Sequence, residues 1–117
     1  MFQQDLITVG KPRSILAVRE DASFRTNLIL CNAGEFQSVD VDVTLFSPDG
    51  STPGTQRYTL QPLGMTQVSR VALALGGSAN LNGARLDLSV VTQGGAVAAY
   101  ASVIDNLTND PRTLLPQ

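Results

Sequence analysis

The chain has 117 residues, a formal net charge of −2 and no histidine. A chain of this length supports one hydrophobic core, so we expect a single domain over residues 1–117. The missing histidine removes the usual general base and the Ser-His and Cys-His nucleophile pairs, which excludes hydrolase triads. Seven arginines and the single lysine, Lys11, leave no basic face able to follow phosphates, so nucleic acid is not an expected partner.

Charged residues make up only 15% of the sequence, and Ser, Thr, Asn, Gln and Gly supply most of its polarity. This balance is typical of an extracellular protein. The segment Met1-Phe2-Gln3-Gln4-Asp5 lacks the basic and apolar regions of a secretory signal. We therefore expect an extracellular, cell-surface or periplasmic location, with a signal that is not in this chain. No apolar run reaches the roughly 18 residues that a membrane span needs, so membrane insertion is not expected.

The N-terminal third of the chain contains three apolar segments. Residues 1–10 carry Leu6, Ile7 and Val9, which predict an edge strand or an arm exchanged with another copy. Further strands are predicted at residues 14–19 and 24–31. Cys31, at the end of the last segment, is the sole cysteine, so no internal disulfide or thiolate cluster can form, and we expect a buried, inert thiol.

Residues 39–46 show the clearest alternation in the middle of the chain. Val39, Val41, Val43 and Leu45 alternate with Asp40, Asp42, Thr44 and Phe46. The pattern predicts a strand with one buried aliphatic face and one solvated face. Turn residues 47–50 end it, and weaker strands follow at 56–60 and 65–70. Residues 71–75 predict a short helical turn, because Ala and Leu favour helix and two glycines follow.

The C-terminal third contains the strongest predicted hairpin. Residues 84–91 alternate between apolar and polar, a turn follows at Gln93-Gly94-Gly95, and residues 96–104 are apolar on both faces. The last segment is expected to be a central strand, with a buried helix as the competing interpretation. Two prolines in residues 107–117 predict an irregular tail. Together these patterns predict an all-β protein, an antiparallel β-sandwich of about 7–8 strands.

Three segments resemble a known family. They are Phe24-Arg25-Thr26-Asn27-Leu28, Phe46-Ser47-Pro48-Asp49-Gly50 and the run from Tyr100 to Pro111. They resemble a bacterial Ig-like or fibronectin-like β-sandwich domain of poorly defined function found in secreted proteins. The resemblance covers about residues 14–116 and implies an Ig-like sandwich in a secreted bacterial protein. Because that family has no agreed catalytic residues, the resemblance assigns no site.

Arg25 and Asn27 interrupt an apolar strand and form the first candidate site. They would either present a polar patch to a ligand or fasten one loop to another. In the second case, the turn at residues 105–110 is the expected hydrogen-bond acceptor for the guanidinium.

Hard oxygen donors cluster in that turn, at Asp105, Asn106, Thr108 and Asp110. Calcium binds six to eight such oxygens, so Ca²⁺ is the one cofactor to consider. The Asp-x-Asp-x-Asp-Gly spacing of a known calcium loop is missing. A turn held by Asx and Thr side chains is the alternative interpretation.

Phe36 and Phe46 are the aromatic residues expected at the surface, the first in a loop and the second on the polar face of its strand. Exposed aromatics of this kind favour an interface over a sugar platform, and the chain has no Trp. A glycosidase would need a carboxylate pair across a cleft. The candidates are Glu20, Asp21, Glu35, Asp40 and Asp42, and the last two lie on a solvated strand face.

The sequence therefore predicts a non-catalytic secreted or surface module for adhesion, spacing or assembly. The alternative is a ligand-binding module for a glycan, assisted by Ca²⁺. The expected partner is a protein or a glycan of unknown identity, and the apolar segments also predict a homo-oligomer formed through an edge strand.

Overall fold

The computed structural model describes residues 6–78 and 80–117. They form two antiparallel sheets of nine strands in all and one helix of four residues. The elements are β1 (Ile7–Thr8), β2 (Arg13–Glu20), β3 (Phe24–Asn32), β4 (Val39–Phe46), β5 (Gly54–Leu60), β6 (Met65–Val68), α1 (Val71–Ala74), β7 (Leu81–Val90), β8 (Ala96–Asp105) and β9 (Pro111–Leu114). The predicted all-β sandwich and its short helical turn are confirmed. No helix in the described part of the chain is long and apolar enough to cross a membrane.

Sheet A has the strand order β1-β8-β3-β6, and β9 also pairs with β8. β1 pairs with Ala96 and Val97, whereas β9 pairs with residues 101–104, so the two short strands share one side of β8. The other side of β8 pairs with β3. The segment at 96–104 is thus a strand with neighbours on both sides, and the alternative of a buried helix is wrong. Sheet B has the order β2-β7-β4-β5.

The core lies between the two sheets and is built by alternation. On β4, Val39, Val41, Val43 and Leu45 are all buried. Leu88 and Leu86 lie opposite Val43 and Leu45 on the neighbouring strand and are also buried. Burial of each such aliphatic side chain contributes about 1.5–3 kcal/mol. Val71 and Ala72 of α1 are buried in the same cluster, so the helix covers part of this core.

The C-terminal tail has more regular structure than the sequence predicts. The tail at 107–117, where we expected irregular structure, contains β9. Pro111 is its first residue, a position where a missing N–H is tolerated because β9 lies at a sheet edge. Gln117 then exchanges backbone hydrogen bonds of 3.0 and 2.8 Å with Ser14 on β2. In the N-terminal segment, Ile7 and Thr8 pair with β8 of the same chain, and residues 1–5 lie outside the described residues.

An ion pair connects buried Glu20 of β2 to Arg70, in the segment before α1. The Glu20 side chain is only 2% exposed and that of Arg70 46%, and Glu20 Oε2 accepts a 2.6 Å hydrogen bond from the Arg70 guanidinium. Glu20 Oε1 is buried with no partner among the described residues. The Arg70 backbone has a left-handed φ of 49° and donates its N–H to Asn27 Oδ1 at 3.0 Å. Arg70 therefore fixes the connection between β6 and α1 to both sheets.

We expect Arg70→Met to lower the free energy of unfolding by about 2–3 kcal/mol, because it leaves a buried carboxylate without its cation. Arg57→Met is the matched control, since Arg57 forms an ion pair with Asp42 at the surface, where the loss should stay below about 1 kcal/mol. Urea unfolding of both variants measures the difference. Equal losses in the two would contradict a special role for Arg70.

Candidate docking surface

The outer face of sheet B is charged, and its charges are paired within the face. Arg57 makes hydrogen bonds of 2.7 and 3.0 Å to the two carboxylate oxygens of Asp42. Arg85 pairs with Asp87 at 2.9 Å, and Asp40 accepts a 2.7 Å bond from the Thr59 hydroxyl. Arg57 holds the pKa of Asp42 below its ordinary value through this hydrogen bond. This face is therefore a solvated surface with internal partners for its charges.

The outer face of sheet A carries mostly apolar side chains near its centre. Leu28 and Leu30 of β3 point into the core, so the alternating residues Ile29 and Cys31 lie on the outer face. Cys31 is half-buried there, so the expectation of a buried thiol is wrong. Two rows cross the sheet there, Ala98–Cys31–Met65 and Tyr100–Ile29–Gln67. We define the apolar face as Ile29, Cys31, Met65, Ala98, Tyr100 and Ile104.

Exposure varies across the apolar face. Met65 is 69% exposed and Tyr100 37%, whereas Ile29 between its neighbours is only 7% exposed. Exposed apolar side chains that adjoin one another on a soluble protein often mark an interaction site.

Arg25 is the one charged side chain that the alternation of β3, β6 and β8 places on this outer face. It lies beside Ile104 at the far end of the sheet, and its guanidinium donates a 2.7 Å hydrogen bond to Asn106 Oδ1. The turn that we expected to accept from Arg25 does so through the amide oxygen of Asn106. The two central rows of the apolar face contain no charged residue.

An exposed apolar tip adjoins the apolar face at one end of the sandwich. Phe36 is 93% exposed in the loop between β3 and β4, and Leu63 is 63% exposed in the turn before β6. The Leu63 N–H donates a 2.9 Å hydrogen bond to the Gly34 carbonyl, which brings the loop and the turn together. Leu63 precedes Met65 by two residues, so the tip extends the apolar face.

The other predicted interface aromatic lies elsewhere. Phe46 is half-buried on the charged face of sheet B, where the Arg85 guanidinium stacks 4.1 Å from its ring centroid. Phe36 precedes β4 and Phe46 ends it, so the length of that strand, about 25 Å, separates them. The two phenylalanines do not form one surface.

Asn27 and the 105–110 turn have structural partners. Asn27 is buried and accepts the Arg70 N–H. In the turn, Asp105 Oδ1 accepts backbone N–H bonds of 2.8 Å from Leu107 and 3.3 Å from Thr108. The exposed Asp110 donates its N–H to the Thr108 hydroxyl at 3.3 Å. These contacts are those of a turn closed by its own side chains.

The four predicted calcium ligands all lie in this turn. Asn106 Oδ1 accepts from a guanidinium, so one of the four predicted oxygen ligands lies against a positive charge. The described residues hold no group of three or more His, Cys, Asp or Glu side chains placed to bind a metal. Calcium binding at Asp105, Asn106, Thr108 and Asp110 stays a prediction.

A polar cleft lies near the connections at the α1 end of sheet B. Its volume is about 500 Å³. The described lining residues are Ser47, Pro48, Asp49, Ser51, Pro53, Ser78, Asn80, Leu81 and Asn82. Hydroxyl and amide groups dominate this set, and it contains no aromatic ring.

Comparisons with known proteins inform the fold. No protein-family model and no curated protein matches the chain. The crystal structure of Thermotoga maritima 1070 is similar, with a TM-score of 0.61 and 14% sequence identity over 90% of each chain. At this identity, the likeness shows the fold alone.

Asn106→Ala should lower the free energy of unfolding by about 1–2 kcal/mol, since the amide joins β3 to two turns. It accepts from Arg25 and donates to the carbonyls of Asp21 and Ala22 at 3.4 and 3.3 Å. Thr108→Ala in the same turn removes one long bond and is the control. Thermal unfolding of both variants checks this prediction. A Thr108→Ala variant that is no more stable than Asn106→Ala would contradict this role of Asn106.

Acid should destabilise the fold through Asp21 and Asp42. Hydrogen bonds from Arg19 and Arg57 lower the pKa of these two carboxyls in the folded state. The stability that they contribute is present above the unfolded-state pKa near 3.9 and is lost as pH falls through the lower folded values. Unfolding measured from pH 7 down to pH 2 should thus show a decline confined to the acid end, and Asp42→Asn should reduce it. A decline unaltered in that variant would contradict the assignment.

Proposed function

We propose that the protein is a non-catalytic, secreted or surface-located Ig-like module that binds another protein through its apolar face. The observation that supports this proposal is the contrast between the two outer faces. On the outer face of sheet B, the charged side chains pair with one another, and the face is solvated. Sheet A leaves Met65 and Tyr100 exposed in rows that carry no charge.

The lack of charge in the central rows of the apolar face favours a partner with an uncharged surface. A charged surface docked against rows without ionisable groups would bury its charges unpaired, at a cost of several kcal/mol. An uncharged, apolar protein surface avoids that cost. The apolar tip at Phe36 and Leu63 adds contact area next to Met65. Adhesion and assembly both require such a partner-binding face.

The non-catalytic part of the proposal rests on how the acidic groups are used. The chain has no histidine. Asp21 and Asp42 pair with arginines, and Asp40 accepts from Thr59. Glu20 is buried against Arg70, which leaves it poorly placed to serve a substrate. These uses favour binding over acid-base chemistry.

A photo-crosslinking amino acid placed at Tyr100 tests the docking face in the living source cell. The matched control places the same group at Thr44, in the middle of the charged face. We expect discrete adducts from position 100, identified by mass spectrometry, and none from position 44. Tyr100→Lys should also abolish an adduct formed from position 98. Equal adducts from positions 100 and 44, or adducts from position 44 alone, would contradict the proposal.

Glycan binding is a second candidate, favoured by the polar cleft. Its hydroxyl and amide lining suits the hydroxyls of a sugar, although it offers no ring on which a sugar could stack. A glycan array probed with the wild type and with Asn82→Ala, each with and without calcium, tests this candidate. A signal lost in Asn82→Ala supports it. A blank array in all four conditions contradicts it.

A further inference from the structure

β5 forms one free edge of sheet B, on the sheet opposite the apolar face. Unpaired sheet edges expose N–H and C=O groups that invite another strand, and proteins usually shorten, bend or cover them. In the described chain, the outer strands of sheet A are short. β6 has four residues at one side, and β1 and β9, with two and four residues, share the other.

β2, at one edge of sheet B, is bent and covered. Its register with β7 shifts on both sides of Val18, next to Ala17, whose φ is +65°. The Thr26 hydroxyl accepts from the Arg19 N–H at 3.1 Å and donates to the Arg19 carbonyl at 2.6 Å. Gln117 occupies the backbone groups of Ser14. A second chain therefore finds little free backbone on β2.

β5, at the opposite edge of sheet B, has none of these protections. It pairs with β4 over seven residues, from Gly54 to Leu60, without a register shift. No strand among the described residues pairs with its other side. It contains no proline or lysine between its ends, and its one charge, Arg57, is matched by Asp42. This edge is long, regular and open.

We propose that β5 pairs antiparallel with β5 of a second copy, so that the two sheets B form one continuous sheet of eight strands. A two-fold axis through Arg57 pairs all seven residues. Gly54 then faces Leu60, Thr55 faces Thr59, and Gln56 faces Tyr58 of the other copy. Any other symmetric register leaves part of the strand unpaired.

The side chains suit this register. The two Thr55–Thr59 pairs lie on the outer face, where cross-strand threonine pairs are favourable. The two Arg57 side chains meet at the axis, but each carries its own Asp42 carboxylate at 2.7 and 3.0 Å. The four charges at the centre therefore sum to zero. On the other face, exposed Gln56 meets half-buried Tyr58.

Cross-linking tests the register. In a Cys31→Ser background, Thr55→Cys and Thr59→Cys are made as separate proteins and treated with a short thiol-to-thiol linker. We expect a strong dimer band when the two are mixed and little when either is treated alone, because position 55 faces position 59. Thr44→Cys, one strand further in, is the control and should not cross-link with either. Equal yields in all combinations would overturn the register.

Light scattering tests the dimer itself. The wild type should approach twice the monomer mass of 12.4 kDa as its concentration rises. Val91 donates its N–H to the Asp40 carbonyl, so Asp40 and, two residues on, Asp42 direct their backbone groups toward β7. Arg57 lies opposite Asp42 and therefore directs its N–H away from β4. Arg57→Pro removes no backbone hydrogen bond to β4, so this variant should remain folded by circular dichroism and stay monomeric. A wild type that is monomeric at every concentration overturns the proposal. Tyr100→Lys should still dimerise, which separates this result from failure of the docking face.

Discussion

The pairing of β3 with β8 is the interaction on which the rest of the molecule depends. Nine residue pairs run without a register shift from Phe24–Asp105 to Asn32–Val97. All other strands of sheet A attach to these two, and the 105–110 turn follows directly from β8. Because side chains alternate between faces, this one register places a leucine face in the core and the apolar face outside.

The outer faces of the two sheets differ in the side chains that they expose. On sheet B, polar and charged side chains on neighbouring strands satisfy one another, as Arg57 and Asp42 do. On sheet A, small and apolar side chains lie side by side, and Ile29 is nearly covered by its neighbours. A protein whose only need was solubility would gain from charges on both faces. The uncharged rows therefore favour an interaction surface over a solvated one.

The local patterns of the sequence predict much of this fold. Alternation at 39–46 predicts β4, glycines at 94 and 95 predict the hairpin, and Ala-Leu composition predicts α1. The double apolar character of 96–104 also signals an apolar outer face. The sequence does not reveal which strands lie next to one another in each sheet. Strand order decides that β5 ends a sheet and that the tail has β8 as a partner.

The residues of the candidate site also differ in how far the sequence predicts them. The exposure of Phe36 could be predicted because loops lie at the surface, whereas the stacking of Arg85 on Phe46 depends on the pairing of β4 with β7. The link between Arg25 and Asn106 joins residues 81 positions apart, and the sequence suggested it only as one of two alternatives. The continuity of Leu63 and Met65 with the outer face of sheet A required the structure.

Hydroxyl-radical footprinting of the protein, purified and in its native cellular setting, tests whether a partner covers the apolar face. Methionine and aromatic side chains oxidise readily when exposed, so Met65 and Tyr100 report on the apolar face and Phe46 on the charged face. We expect oxidation of Met65 and Tyr100 to fall in the cellular setting and that of Phe46 to stay unchanged. Protection of Phe46 with undiminished oxidation of Met65 and Tyr100 would contradict this expectation.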